Sequence, residues 1–171
     1  MKIAICGAGT VGRGVTQILQ DNQALITART GKAIEITVVA SRSVPTDEIF
    51  KDIAYTADIG SVCARLDVDV VVELMGGTTD AKVLIETALS AGKSVVTANK
   101  ALIAEHGDAL FALATKHEVA LLYEAAVAGS IPIIKVIKES LAGNQVAWLA
   151  GIINGTANFI LRERIVEQRT R

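Results

Sequence analysis

Apolar and polar positions run along this chain in blocks that switch between two periods. "KIAIC" (2–6) is a short, nearly unbroken apolar run and predicts a buried strand. In "TVGRGVTQILQDN" (10–22), Val11, Val15, Ile18 and Leu19 share one face at a helical period, so a helix follows. The pattern then repeats. "AIEITVVAS" (33–41) and "DVDVVVEL" (67–74) are β-branched strands, and "TDAKVLIETALSAG" (79–92) is a helix closed by Gly92. "KSVVTA" is the next strand, "GDALFALATKHE" (107–118) a helix and "VALLYEA" (119–125) a strand. "SIPIIKVIKESLAG" (130–143) predicts a helix, with proline near its first turn and glycine at its end. A strand over 145–153 and a helix over 156–168 complete the reading, and 42–66, with Pro45 and scattered polar residues, gives no periodic signal. Strands that alternate with helices predict an α/β fold, a parallel sheet with right-handed crossovers.

Composition sharpens this. The 171 residues are 51% hydrophobic but only 4% aromatic, so the core is built from Ala, Val, Ile and Leu, as suits parallel strands covered by helices. With 17 basic and 18 acidic side chains the net charge is −1, which gives no electrostatic footing for nucleic acid or an anionic membrane. No apolar run approaches the ~20 residues of a membrane span, and "MKIAICGAG" turns into a glycine motif with no cleavage-like site, so it reads as a first strand and the chain as cytoplasmic. Cys6 and Cys63 are too few for a disulfide framework and read as buried thiols in a reducing compartment.

The candidate chemistry lies where strands end. In "CGAGTVGRG", Gly7, Gly9 and Gly12 match G-x-G-x-x-G directly after a strand and opening a helix. In that context Gly7 permits the tight turn, Gly9 lets backbone approach a pyrophosphate, Gly12 lets helix and strand pack closely, and the helix start offers N–H donors. This is a Rossmann-type doubly wound sheet with a dinucleotide site; the alternative is a tight turn that binds nothing. At the end of the second strand, where an NAD site usually carries Asp or Glu for the ribose 2′-OH, the chain has Ser41, Arg42 and Ser43. A guanidinium and hydroxyls suit a 2′-phosphate, so NADP is the expected cofactor, with NAD as the alternative. Glu73 with Gly76-Gly77, and Thr97 with Lys100 in "TANK", occupy the next two strand ends, where ligands of open α/β sheets sit. Glu124, small residues and Gly129 form a further strand-to-helix connection, read either as a tight turn or as a ring of oxygens for a hard cation. His106, in an "EHG" loop, and His117, near a helix end, read as surface residues.

Five segments, "GAGTVGRGV", "VVELMGG", "GKSVVTANKALIAEHG", "YEAAVAGSIPIIK" and "GIINGTANFIL", stand in the order and at about the spacing of homoserine dehydrogenases, and residues 1–161 resemble that family. The resemblance implies a hydride exchange between NAD(P) and L-homoserine or L-aspartate 4-semialdehyde, on the way to threonine, methionine and isoleucine. It implies that Gly9, Thr10, Val11 and Gly12 lie along the pyrophosphate, that Arg42 meets the 2′-phosphate, and that Gly76 and Gly77 line the cofactor cleft. It puts Lys100 near the nicotinamide and the substrate's reacting carbon, and Glu124, Val127, Gly129 and Ile131 around a sodium ion, largely through main-chain oxygens. Asn154, Gly155 and Thr156 match the turn into the substrate domain. A lysine in a dry cleft beside a cationic nicotinamide has its charged form disfavoured by burial and by like charge, which suits Lys100 to take the hydroxyl proton or return it.

The resemblance also implies what to look for beyond this chain. Family members run to more than twice its length and carry an acidic, glycine-containing segment and a second catalytic lysine. The expected organisation is therefore a nucleotide-binding domain over 1–130 and, over 131–171, the opening of a truncated α+β substrate and dimerisation domain. The expected partner is the small-molecule substrate, with a homo-oligomer through the unpaired edge of "VAWLAGII" or a rearranged tail. Two further readings stand beside the enzyme: a non-catalytic NADP-binding remnant, and another dehydrogenase such as an aspartate dehydrogenase-like enzyme, against which the N-G-T turn and the T-A-N-K stretch argue.

Overall fold

The computed structural model describes residues 1–129 and 131–151. Six strands form one sheet: β1 (Lys2–Cys6), β2 (Glu35–Ala40), β3 (Ala54–Thr56), β4 (Val70–Glu73), β5 (Ser94–Thr97) and β6 (Leu121–Leu122). Their order is β3-β2-β1-β4-β5-β6 and every pairing is parallel. That is the doubly wound arrangement, and the strand order reverses between β1 and β4, where such sheets bind ligands beyond their C-terminal ends. Among the described residues the strands are connected by α1 (Thr10–Asp21), α2 (Gln23–Thr30), α3 (Thr79–Ser90) and α4 (Lys100–Lys116).

The two sheet faces are covered unequally. On one, Ala4, Cys6, Val38, Val71 and Val95 pack against Leu84, Ile85 and Leu89 of α3 and Leu102 and Leu110 of α4. On the other, Ile3, Ile5, Val39 and Val72 meet Val15 and Leu19 of α1 and Phe50. This second face is covered mainly by α1, and a shallow apolar depression of about 260 Å³ remains beside it, lined by Val11, Val70, Val72 and Val96 among others. Val11 and Ile18, expected on the buried face of α1, are accordingly exposed, and Gly12 and Thr16 point inward instead.

Several boundaries differ from the sequence expectation. Helix α4 begins at Lys100, not 107, because the Asn99 side chain caps it by accepting from the Leu102 N–H at 3.1 Å. Glu105, His106 and Gly107 therefore lie inside a helix; Gly107 is buried, and a Cβ there would approach Phe111 to 3.3 Å. His106 and His117 are half-buried. The strand expected over 119–125 shrinks to two residues at the sheet edge, and Glu124–Ala126 turns as a 3-10 helix. The helix expected over 130–143 is reduced to Ile133–Lys135 followed by one wide π turn, Val136–Ser140. The strand expected over 145–153 is absent from its described part, 145–151, where Trp148 is exposed; a strand needs a neighbour to take its backbone bonds, and no described strand pairs there. The helix expected over 156–168 lies outside the described residues. Helix α2 and the edge strand β3 were not anticipated: α2 buries no residue, and β3 is only three residues long.

Candidate active site

The β1–α1 turn is shaped by close approach. A Cβ on Gly12 would sit 1.9 Å from the Gly7 carbonyl oxygen, and one on Gly7, whose φ is +115°, would sit 2.7 Å from the Leu74 carbonyl. Both contacts are impossible for any other residue, so helix α1 can press onto the turn only because these two positions lack side chains. Gly9 differs: a Cβ there would meet nothing within 4 Å. It caps α1 in an extended conformation with no side-chain bond to the helix start. The first N–H groups of α1, over Thr10, Val11 and Gly12, are thus left for water or for an anion, and open space stands in front of them.

Two clefts meet at this turn. One, of about 430 Å³, is lined by Gly7, Gly9, Ser41, Arg42, Gly76 and Gly77, with Leu74, Met75, Ile59 and Asp80 completing its wall. The other, of about 490 Å³, opens between Thr10 and Arg13 on α1 and the loop from Ser41 to Asp47. Ser41 is fixed by its own loop: its hydroxyl donates to the Ser43 carbonyl at 2.7 Å, and its carbonyl accepts from Tyr55 at 3.0 Å. Arg42 is exposed and reaches across the mouth of the first cleft to Asp80 in the first turn of α3, Nη2 to Oδ2 at 2.8 Å. Arg13 makes a similar pair with Asp47 at 2.6 Å in the second. Asp80 was not singled out in the sequence. An acidic residue in a first helical turn reads there as a complement to the helix dipole; its partner stands 38 residues away and meets it only because the sheet order brings the two loops together.

The two loops beyond β4 and β5 are locked by buried polar groups. Glu73 and Thr97 are in register on adjacent strands and fully buried. One carboxylate oxygen of Glu73 accepts from the Met75 and Gly76 N–H groups at 2.8 and 3.3 Å, and the other from the Thr97 hydroxyl at 2.5 Å. Thr97 Oγ1 accepts in turn from the Asn99 N–H at 3.0 Å, and Asn99 Nδ2 donates to the Gly77 carbonyl at 2.6 Å. Glu73 is therefore committed to shaping the loop, and the Thr97 hydroxyl is spent within the same network. Gly76 and Gly77 both have φ of +73°, a left-handed pair that the Glu73 carboxylate organises from below. Lys100 follows directly on Asn99 as the first residue of α4 and is exposed at this edge of the sheet.

The Glu124–Ile131 connection carries left-handed backbone at Ala128 and Gly129. The Glu124 carboxylate accepts from the N–H groups of Ile134 and Lys135, both at 2.9 Å, so its side chain holds the following turn. The carbonyls of Glu124 and Ile131 each accept one backbone N–H, at 3.1 and 2.8 Å, leaving a lone pair apiece. The Glu124 carboxylate is thus spent on backbone donors, and any cation at this loop would have to be held by main-chain oxygens. Among the described residues no three His, Cys, Asp or Glu side chains cluster as a metal site.

A glycine turn with open space at an uncapped helix start, set at the reversal point of a doubly wound sheet, defines a dinucleotide-binding domain. Residues 7–124 match the family model "Homoserine dehydrogenase, NAD binding domain", and residues 132–170 match the model "Homoserine dehydrogenase". The chain belongs to the homoserine dehydrogenase family. It is similar to the homoserine dehydrogenase of Pseudomonas aeruginosa, 49% identical over 99% of this chain and 39% of that protein, and to that of Neisseria gonorrhoeae, 48% identical over 95% and 38%. Among solved structures it is similar to a homoserine dehydrogenase from Thiobacillus denitrificans, with a TM-score of 0.87 and 43% identity over 94% of this chain and 38% of that one. A hyperthermophilic archaeal homoserine dehydrogenase in complex with NADPH superposes with a TM-score of 0.69 at 25% identity, over 83% of this chain and 49% of that one. The chain spans about two fifths of the length of the curated relatives it matches. No described helix is long and apolar enough to cross a membrane.

Proposed function

We propose that the protein acts as a homoserine dehydrogenase, in the biosynthetic route to threonine, methionine and isoleucine, and that this chain supplies its cofactor half. The observation that carries this reading is the 2.6 Å bond from Asn99 Nδ2 to the Gly77 carbonyl. It ties the start of α4, where Lys100 is the first residue, to Gly77 in the wall of the cofactor cleft, which supports a role for Lys100 there.

The bound nicotinamide nucleotide supplies the hydride acceptor. The N–H groups of Thr10, Val11 and Gly12 hold the pyrophosphate, with Gly7 and Gly9 giving the backbone room to approach. Ser41 and Arg42 hold the ribose end, and the guanidinium favours NADP over NAD. Gly76, Gly77 and the main chain at Thr97 form the wall along the rest of the cofactor. We assign to Lys100 the role of taking the proton from the substrate hydroxyl as hydride departs, or of returning it in the reverse direction. A sodium ion at the main-chain oxygens of Glu124, Val127, Gly129 and Ile131 would fix the shape of that loop and neutralise converging carbonyl dipoles. We read 1–130 as the cofactor domain and 131–171 as the opening of a substrate and dimerisation domain, in a cytoplasmic homo-oligomer.

The test is L-homoserine-dependent reduction of NADP⁺, followed by NADPH absorbance, with Lys100→Ala beside the wild type. The expected result is turnover that falls roughly a hundredfold or more in the variant while cofactor binding is kept. Turnover that survives Lys100→Ala would remove Lys100 from the chemistry. Cofactor binding with no homoserine turnover, measured with the substrate domain present, would make the protein a non-catalytic nucleotide-binding module.

A further inference from the structure

The end of β2 lacks the carboxylate that a ribose 2′-OH usually meets, yet a carboxylate stands at that edge of the cleft. It comes from another part of the chain. Asp80, in the first turn of α3, lines the same 430 Å³ cleft as Ser41 and Arg42 and pairs with the Arg42 guanidinium at 2.8 Å. Both side chains are mostly exposed, at 85% for Arg42 and 64% for Asp80, so the pair is weakly held and its partners are exchangeable.

We infer that Asp80 is a specificity-determining residue, which competes with a ribose 2′-phosphate for Arg42 and lets the same cleft accept the unphosphorylated ribose. The inference rests on the reading of Arg42 as the 2′-phosphate contact. A 2′-phosphate that reaches Arg42 must displace Asp80 from it or share it, and in either case two anions face each other within a few ångströms. That repulsion subtracts from the affinity for NADP alone. NAD brings no charge to this point; its 2′-OH is a donor, and the Asp80 carboxylate is the acceptor within reach of the same mouth. One ion pair thus serves both cofactors, closed over a ribose diol and opened by a phosphate. Asp80 also sits where a negative charge stabilises the start of α3, so the residue keeps a place in the fold whichever cofactor binds.

The experiment titrates the protein calorimetrically with NADP⁺ and NAD⁺, and with 2′,5′-ADP and 5′-ADP as probes of the adenosine half alone. Three proteins are compared: wild type, Asp80→Asn and Arg42→Ala. Asp80→Asn keeps the shape and removes the charge. The expected result is a roughly threefold to tenfold gain for NADP⁺ and 2′,5′-ADP, with NAD⁺ and 5′-ADP unchanged or weaker. An unchanged ratio of the two cofactors in Asp80→Asn overturns the inference. So does a loss of NADP⁺ affinity, because Asp80 would then be presenting Arg42 to the phosphate and not competing for it. Arg42→Ala separates the two levels. If it erases the preference for the 2′-phosphate while Asp80→Asn changes nothing, the Asp80 inference fails alone. If Arg42→Ala leaves NADP⁺ binding intact, the reading of Arg42 fails with it.

Discussion

Thr97 and Glu73 stand side by side at the C-terminal ends of β5 and β4, and the Thr97 hydroxyl donates to the Glu73 carboxylate at 2.5 Å with both residues fully buried. This contact joins the two loops that wall the cofactor cleft. Glu73 has three donors in all: Thr97 Oγ1 and the N–H groups of Met75 and Gly76. Removing the carboxylate strands them and opens a cavity. Glu73→Ala is expected to cost about 3–5 kcal/mol, read as a lower urea midpoint. Thr97→Val fills the space but removes the hydroxyl that donates to Glu73 and accepts from the Asn99 N–H, and should cost about 2–3 kcal/mol. A Glu73→Ala protein within about 1 kcal/mol of wild type would contradict the role assigned to this network.

The glycines of the first turn should separate folding from binding. Gly12→Ala places a methyl 1.9 Å from the Gly7 carbonyl, so α1 must move; the expected loss is about 3 kcal/mol, together with cofactor binding. Gly9→Ala meets nothing within 4 Å and has ordinary backbone angles. Its stability should change by less than about 0.5 kcal/mol. Cofactor affinity should still fall at least about tenfold, because the methyl enters the space where the backbone approaches the pyrophosphate. Thermal melting and calorimetric titration of both variants test the split.

Cys6 gives the structure an alkaline sensitivity. Burial, with the nearby Cys63 and Glu73, pushes its thiol up from 9.0 to about 12, and burial also raises Cys63. Well below pH 9 both thiols are protonated whether the chain is folded or not. Above it the unfolded chain releases the Cys6 proton and the folded chain retains it, so the unfolded state gains. Stability should therefore fall by about 1.4 kcal/mol per pH unit between pH 9 and 12 from this residue. Cys6→Ser or Cys6→Ala should flatten that slope. At pH 8 neither thiol should react with iodoacetamide until the protein is unfolded.

Lys93 is a second buried charge with a structural task. Its ammonium donates to the carbonyls of Arg65 and Val68 at 2.7 and 2.6 Å, fastening the turn before β4 to the start of β5. Lys93→Met keeps the stem and removes the donors. The expected cost is about 2–4 kcal/mol by denaturant unfolding, with no change in cofactor preference.

Much of this was legible in the chain. The strands β1, β2, β4 and β5 announce themselves as β-branched runs, and α1 and α3 by their period and by Gly92. The glycine turn is a local signal, since the residues that crowd one another, Gly7 and Gly12, lie within a single turn. What failed to show was set by tertiary context. Lys100 reads as a loop residue until Asn99 is seen to cap α4, and Gly107 reads as a helix start because a buried interior glycine looks like a break. Thr97 carries an exposed-looking hydroxyl in the sequence that is spent on Glu73, 24 residues away. Asp80 and Arg42 meet only after the sheet is wound. Around residues 145–151 the short apolar run is strand-like, but no described strand supplies the ladder such a segment needs.

In the proposed dinucleotide site the α1 turn takes the pyrophosphate and Arg42 the 2′-phosphate, and calorimetric titration of the wild-type protein with NADPH and NADH measures the consequence. NADPH should bind tighter than NADH by at least several-fold. Equal or tighter binding of NADH, or no binding of either, would contradict it.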